Sequence, residues 1–300
     1  MATTSLPPAT DADLSRVTES LEMISPLWSV WVLMTLSAQP LRYAEVKPRL
    51  PWLHDGQLHP RLRKLTEAGL VERTQYAPRH VTYGLTERGA DLIPVLTVIA
   101  AWGNTHLEKD LAVDKTTGVA GPEHIPPAQN AEDTIMLLTP RHATPILWAL
   151  QARAGATSAK TVRAMAMPDH GLSAVYPPLR RLAADGLVEI RDTSDVRLSA
   201  HGRALAPVYG AVSAWAAGRP LAEAVAHPVW GQALAPSQAG PGTWITQESR
   251  LPAAASPAPA PAGPALSAQP PAARWKAGDL FSHEISARPL SPSPAGGHRR

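Results

Sequence analysis

Sixteen residues occur almost twice in this chain. LHPRLRKLTEAGLVER runs from Leu58 to Arg73, and VYPPLRRLAADGLVEI runs from Val175 to Ile190, 117 positions further on. Both read apolar-x-Pro-x-Leu-Arg-basic-Leu-x-x-x-Gly-Leu-Val-Glu. Compositional drift does not reproduce such an order, whereas duplication of a structural unit does. The match extends in both directions. Tyr83 to Gly103 falls on Val196 to Ala216, with Leu85, Gly89, Leu92, Pro94, Val95 and Trp102 on Leu198, Gly202, Leu205, Pro207, Val208 and Trp215. The second copy is four residues shorter before this stretch. Ser25 to Leu36 falls more loosely on Thr139 to Leu150. Each copy therefore spans roughly ninety residues, and 300 residues hold about two such domains.

Composition narrows the chemistry. The absence of Cys removes disulfides, thiolate zinc sites and cysteine nucleophiles together. No uninterrupted apolar run approaches the length of about 18 residues needed to span a bilayer, so no membrane partner is expected. The N-terminus lacks a basic, then apolar, then small-residue order. A soluble cytoplasmic protein is the expectation. Twelve of the 32 prolines fall in the last 65 residues, in runs such as LPAAASPAPAPAGPALSAQPPAA. That segment carries too little bulky apolar surface to offset the entropy of ordering, and residues 221–300 are expected to be a disordered Pro/Ala-rich tail. Two less biased islands interrupt it, near Trp244 and from Arg274 to Ile285.

Within one unit the hydrophobic period changes along the chain. From Ile24 to Leu36 apolar residues recur three and four apart, which predicts an amphipathic helix ended by Pro40. RYAEVKPRL gives a short second helix, broken by Pro48. LHDGQLHPRLRKLTEAGL supplies a third, with Asp55 as its expected N-cap, Leu58, Leu62 and Leu65 as its buried stripe, and Gly69 as its left-handed terminator. Two β-prone runs follow, Leu70 to Gln75 and Val81 to Leu85, which predict a hairpin. Thr86 caps a further helix, which Pro94 restarts or kinks. Helix, helix, helix, hairpin, helix is the order of a winged helix-turn-helix. The predicted class is mainly α with small β-hairpins (α+β). The predicted domains are a flexible lead over 1–20, a winged helix-turn-helix over 21–112, a linker over 113–131, a degenerate winged-helix repeat over 132–220, and the tail.

The first copy carries spaced motifs in order: W-x-x-W-x-L-x-x-L from Trp28, R-Y-x-E-V from Arg42, R-L-x-x-L-x-x-x-G-L-V-x-R from Arg61, V-x-Y-x-L-T-x-x-G from Val81, and L-I-P-V-L to W-G from Leu92 to Gly103. Over about eighty residues this resembles the HxlR-type winged helix-turn-helix transcriptional regulators. The resemblance implies double-stranded DNA as partner and a homodimer assembled through the terminal helices. It departs where a glycine-lysine-tryptophan step is replaced by Pro26-Leu27-Trp28. The cysteine that many members carry just before that step is also absent, so thiol sensing is not implied.

A recognition helix needs polar and cationic groups opposite its buried leucines. Over 56–68 the candidates are Gln57, His59, Arg61, Arg63 and Lys64. Arg can grip guanine and Gln can grip adenine bidentately in the major groove. Lys47 and Arg49 before the helix, and Arg73, Arg79 and His80 on the wing (70–85), are candidates for phosphate contact. From Leu41 to Ala90 there are nine Lys/Arg against five Asp/Glu, an excess larger than the chain's net +3. The second copy opens its third helix with GLSAVYPPLRRL and carries two aspartates in its shortened hairpin. It is expected to serve in packing, dimerisation or effector binding. A small-molecule effector is compatible with the tryptophan-rich helical faces, but nothing identifies one. The histidines lack carboxylate partners at ligand spacing, so no metal and no cofactor is predicted. Neither a phosphate loop nor a nucleophile elbow is present, and no enzyme is expected. The alternative to a DNA-binding regulator is a winged-helix interaction scaffold without specific DNA binding.

Overall fold

The computed structural model describes residues 6–77, 80–113 and 120–231. Its first element is a helix that the sequence reading assigned to a flexible lead. Helix α1 spans Pro8–Ile24 and buries Leu14, Val17, Leu21 and Ile24. The spacing of these four is that of one helical face, and the face is held because a partner helix covers it. The predicted helix from Ile24 to Leu36 is in fact the end of α1, a break, and α2 (Ser29–Leu36). Pro26 and a left-handed Trp28 (φ 73°) make the break.

The next elements follow the predicted order. A short strand β1 (Leu41–Arg42), helix α3 (Tyr43–Val46), helix α4 (Asp55–Glu67), strands β2 (Val71–Ala77) and β3 (His80–Leu85), and helix α5 (Glu87–His106) form one unit. The sheet order is β1-β3-β2, antiparallel throughout, with Leu41 and Arg73 both opposite Tyr83. Leu58, Leu62 and Leu65 are the buried residues of α4. Its N-cap is His54 rather than Asp55, because the Gln57 side chain closes back on the His54 amide (3.1 Å). Pro94 neither restarts nor ends α5, which remains one helix across it, packed along its length.

Two short strands, β4 (Leu111–Val113) and β5 (Ala120–Pro122), pair antiparallel. The second half then gives α6 (Pro127–Leu138), α7 (Ala143–Arg153), α8 (Ala159–Ala166), α9 (Tyr176–Ala184), β6 (Val188–Ile190), β7 (Val196–Leu198), α10 (Ala200–Arg203) and α11 (Ala206–Ala216).

Several local features recur at equivalent positions of the two halves. The helix entries at Trp28 and His142 are both left-handed, at φ 73° and 69°. Gly69 and Gly186 follow α4 and α9 at φ 69° and 72°, a conformation that excludes most L side chains. The Thr86 hydroxyl donates to Gly69 O (2.7 Å) and accepts from the Gly89 amide (3.0 Å). The Ser199 hydroxyl does the same with Gly186 O (2.6 Å) and the Gly202 amide (3.0 Å). A Cβ on Gly89 would collide with the Leu70 carbonyl, and one on Gly202 with the Leu187 carbonyl. Even the β1–β3 pairing has its counterpart, a bridge between Thr157 and Val196.

The expected tail begins later than residue 221. A 3-10 turn over Leu221–Ala226 packs on α11. Trp230 is fully buried against Tyr209 and Trp148, at ring separations of 4.5 and 5.8 Å. Burying an indole supplies what the local composition lacks. The expectation for 232–300, including both islands, lies outside the described residues.

Candidate nucleic-acid interface

Helix α4 stands on its leucine stripe, and the 3.6-residue turn decides what the other sides present. At about 100° per residue, Gly56, Pro60, Arg63 and Glu67 point away from the stripe, with Gln57 and Lys64 beside them. Gln57, Arg63 and Lys64 are exposed. Arg63 pairs with Glu67 at 3.1 Å, an exposed i,i+4 contact of little energetic weight. Lys64 and Arg49 have no ion-pair or hydrogen-bond partner among the described residues.

Two other predicted residues, His59 and Lys47, are engaged locally around the start of α4. His59 stacks on Tyr43, with ring centroids 4.4 Å apart and planes 16° from parallel. The Tyr43 hydroxyl donates to Asp55 Oδ1 (2.8 Å). Lys47 Nζ donates to Leu53 O (2.6 Å) and pairs with Asp55 (2.8 Å), which ties the turn before α4 to the helix start. Hydrogen bonds from Lys47 and Tyr43 hold the Asp55 carboxyl below the usual carboxylate range. Partial burial and the bond to Asp55 push the Tyr43 hydroxyl up to about 12. On the wing, Arg73 is exposed and lies 3.5 Å from Gln75 Oε1, and His80 sits 5.4 Å from the Tyr76 ring. Arg79 lies outside the described residues.

Arg61 is placed differently from its neighbours. It flanks the leucine stripe, is half-buried, and its Nε has no hydrogen-bond partner. Burial lowers the pKa of its guanidinium, and the carboxylate of Glu132, on α6, works the other way. Glu132 is buried at 2% exposure and accepts a hydrogen bond from the Trp28 amide. Burial pushes its carboxyl up to about 7, with the Trp28 amide and the Arg61 charge pulling it back. Glu132 is not among the residues that the sequence analysis singles out. The available signal was an acidic pair, Glu132-Asp133, set into the apolar run before Ile135 and Leu138.

The second half offers a poorer surface. On α9, Arg180 and Arg181 are exposed, but Arg181 lies 3.9 Å from Asp185. Its hairpin is neutralised internally by Arg197 with Glu189 (2.8 Å) and by Arg191 with Asp195 (3.8 Å).

A helical turn leading into an exposed helix, closed by a β-wing over one core, is the architecture of helix-turn-helix regulators. The HxlR-like helix-turn-helix family model matches residues 23–111. A regulator described as an uncharacterized HTH-type transcriptional regulator of Methanothermobacter thermautotrophicus is 35% identical over 98 residues, covering 32% of this chain and 75% of that protein. The Bacillus subtilis HTH-type transcriptional regulator YkvN is 36% identical over 93 residues, 30% of this chain and 79% of that protein. The chain belongs to the HxlR-like helix-turn-helix family. A solved structure described as a putative MarR-family transcriptional regulator from Porphyromonas gingivalis W83 shares 27% identity, covering 30% of this chain and 89% of that one, at a TM-score of 0.28. No helix among the described residues is long and apolar enough to cross a membrane.

Proposed function

We propose that the chain regulates transcription by inserting α4 into the major groove of DNA, with the β2–β3 wing on the phosphate backbone. The observation that carries this reading is the exposed side of α4. Gln57, Arg63 and Lys64 stand opposite a fully buried leucine stripe, on a scaffold whose family is that of helix-turn-helix regulators. Arg49 before the helix, and Arg73, Arg79 and His80 on the wing, contact phosphates and fix the register. Lys47 and His59 hold α4 to the preceding turn while their outer atoms face the duplex. Arg61 stands half-buried at the edge of the reading surface. Residues 127–216 form a second winged-helix unit whose helix α9 and short hairpin contribute little to base reading.

The test is fluorescence anisotropy on a selected operator and on random duplex, each across a salt series. A DNA-binding regulator loses affinity linearly in log salt and prefers its operator. Salt-independent or absent retention on both duplexes overturns the reading in favour of an interaction scaffold.

A further inference from the structure

The two halves are joined by reciprocal contacts. Helix α1, the first of the leading half, packs on α11, the last of the second half. Helix α6, the first of the second half, packs on α5, the last of the leading half. The same two kinds of element thus meet twice, with the halves exchanged. The equivalent helices also meet each other, α5 on α11 and α1 on α6. This is the signature of an isologous interface, in which a patch meets its own counterpart across a two-fold axis.

The side chains follow the pattern at equivalent positions, although the Trp102 indole N–H, unlike that of Trp215, has no hydrogen-bond partner among the described residues. Trp215, at the end of α11, donates its indole N–H to Arg88 O (3.1 Å) at the start of α5, with the Arg88 guanidinium 4.9 Å from its ring centre. The counterparts are Trp102 and His201, which line one cavity with His106; the His106 and His201 rings are 5.1 Å apart. The cavity along Arg88, Trp215, Gly218 and Arg219 (about 730 Å³) occupies the corresponding place in the other arm (about 260 Å³).

Each half also sends one buried acid into the other. Asp13 on α1 accepts from Ser213 on α11 (2.9 Å), and Glu132 on α6 accepts from the Trp28 amide. Buried polar contacts of this kind serve to fix register.

We propose that one chain supplies both halves of a two-fold assembly, so that α1, α5, α6 and α11 are satisfied within the chain and no second copy is recruited. The pairing sets the reading head α4 beside a pseudo-symmetric partner that has Ala174, Tyr176 and Pro178 where α4 has Gln57, His59 and Arg61, and the bound site is correspondingly asymmetric. This last step rests on the DNA-binding reading; the pairing itself does not.

Sedimentation equilibrium of the full chain gives a species of 31.9 kDa that does not change with concentration. A mass that doubles as concentration rises overturns the proposal. Because the chain has no Cys, the double variant His106→Cys, His201→Cys offers one unique pair for a short bismaleimide. Cross-linking within one chain, at unchanged mass, is expected; a covalent dimer means exchanged halves and overturns it. Both measurements are made without DNA. On DNA, one chain protects one asymmetric site, and two chains on symmetric half-sites overturn the asymmetric reading. A chain of unchanged mass that fails to hold any duplex refutes the proposed function and leaves the pairing standing.

Discussion

The carboxylate of Asp13, in the first helix, accepts a hydrogen bond from the hydroxyl of Ser213, two hundred residues later, at 2.9 Å. His227 Nε2 approaches the same carboxylate at 2.7 Å, and its Nδ1 accepts the Trp230 amide at 2.9 Å. One buried acid therefore joins the lead, the last long helix and the segment after it. Burial opposes the charge on Asp13. The hydrogen bonds from His227 and Ser213 outweigh that opposition and hold its carboxyl below the ordinary value.

Replacing Asp13 with Ala leaves Ser213 and His227 buried without their acceptor. The expected loss is on the order of 3 kcal/mol, read by urea denaturation. Because the folded carboxyl titrates below its unfolded value of 3.8, its contribution is present above that pH and is lost as acid takes the pH down through the folded value. A variant as stable as the parent at neutral pH would mean that α1 docks through its apolar face alone.

Glu132 predicts the opposite slope. Its carboxyl is raised from 4.5 to about 7 by burial, so between those values the folded chain holds a proton that the unfolded chain has released. Stability from this group is full below the unfolded value and falls as pH rises toward the folded one. The integrated loss is about 3 kcal/mol. Asp133, also raised by burial, to about 6, adds a loss of the same sign. In Glu132→Gln the amide oxygen still accepts from Trp28 and nothing ionises, so the decline between pH 5 and pH 8 should be shallower than in the parent. Identical slopes would place the titration elsewhere.

Gly89 and Gly202 provide a matched pair. At each, an added methyl group meets a backbone carbonyl that cannot swing aside, Leu70 O or Leu187 O. Gly89→Ala and Gly202→Ala should each cost about 1–3 kcal/mol in thermal or chemical unfolding. A large loss at one site and none at the other would show that the two halves do not share this junction.

Lys64 and Arg61 separate binding from support. Lys64 is exposed and without a partner among the described residues, so Lys64→Ala should weaken DNA binding with unfolding unchanged. If it meets a phosphate, the log–log salt slope falls by about 1 on every sequence. Arg61→Ala removes the charge facing Glu132 and should lower stability as well as affinity. A base-reading role for Arg61 would cost roughly 1–3 kcal/mol on the operator and less on random duplex. Equal losses on the two duplexes leave it as a support for α4.

Much was legible in the residues themselves. The repeated sixteen-residue pattern, the leucine stripe at 58, 62 and 65, the left-handed glycine at 69 and the cap at Thr86 are local regularities, and periodic burial follows from them. The spacing of Leu14, Val17, Leu21 and Ile24 is equally regular, but the helix that covers this face lies so far along the chain that the local sequence gives no sign of it. Arg61 shows the reverse limit. Its sequence context marks it as one more cation on a basic helix, and only the packing of the folded chain half-buries it within the field of Glu132 on α6.

Periodicity, caps and turn glycines are set by neighbours within a few residues, so the order of letters determined most of the elements of residues 23–111 and their family scaffold. Which faces became interior was decided by tertiary structure alone. The free energy of burying α1 on α11, or Glu132 beneath Trp28, exists only when segments a hundred or more residues apart meet and exclude water together.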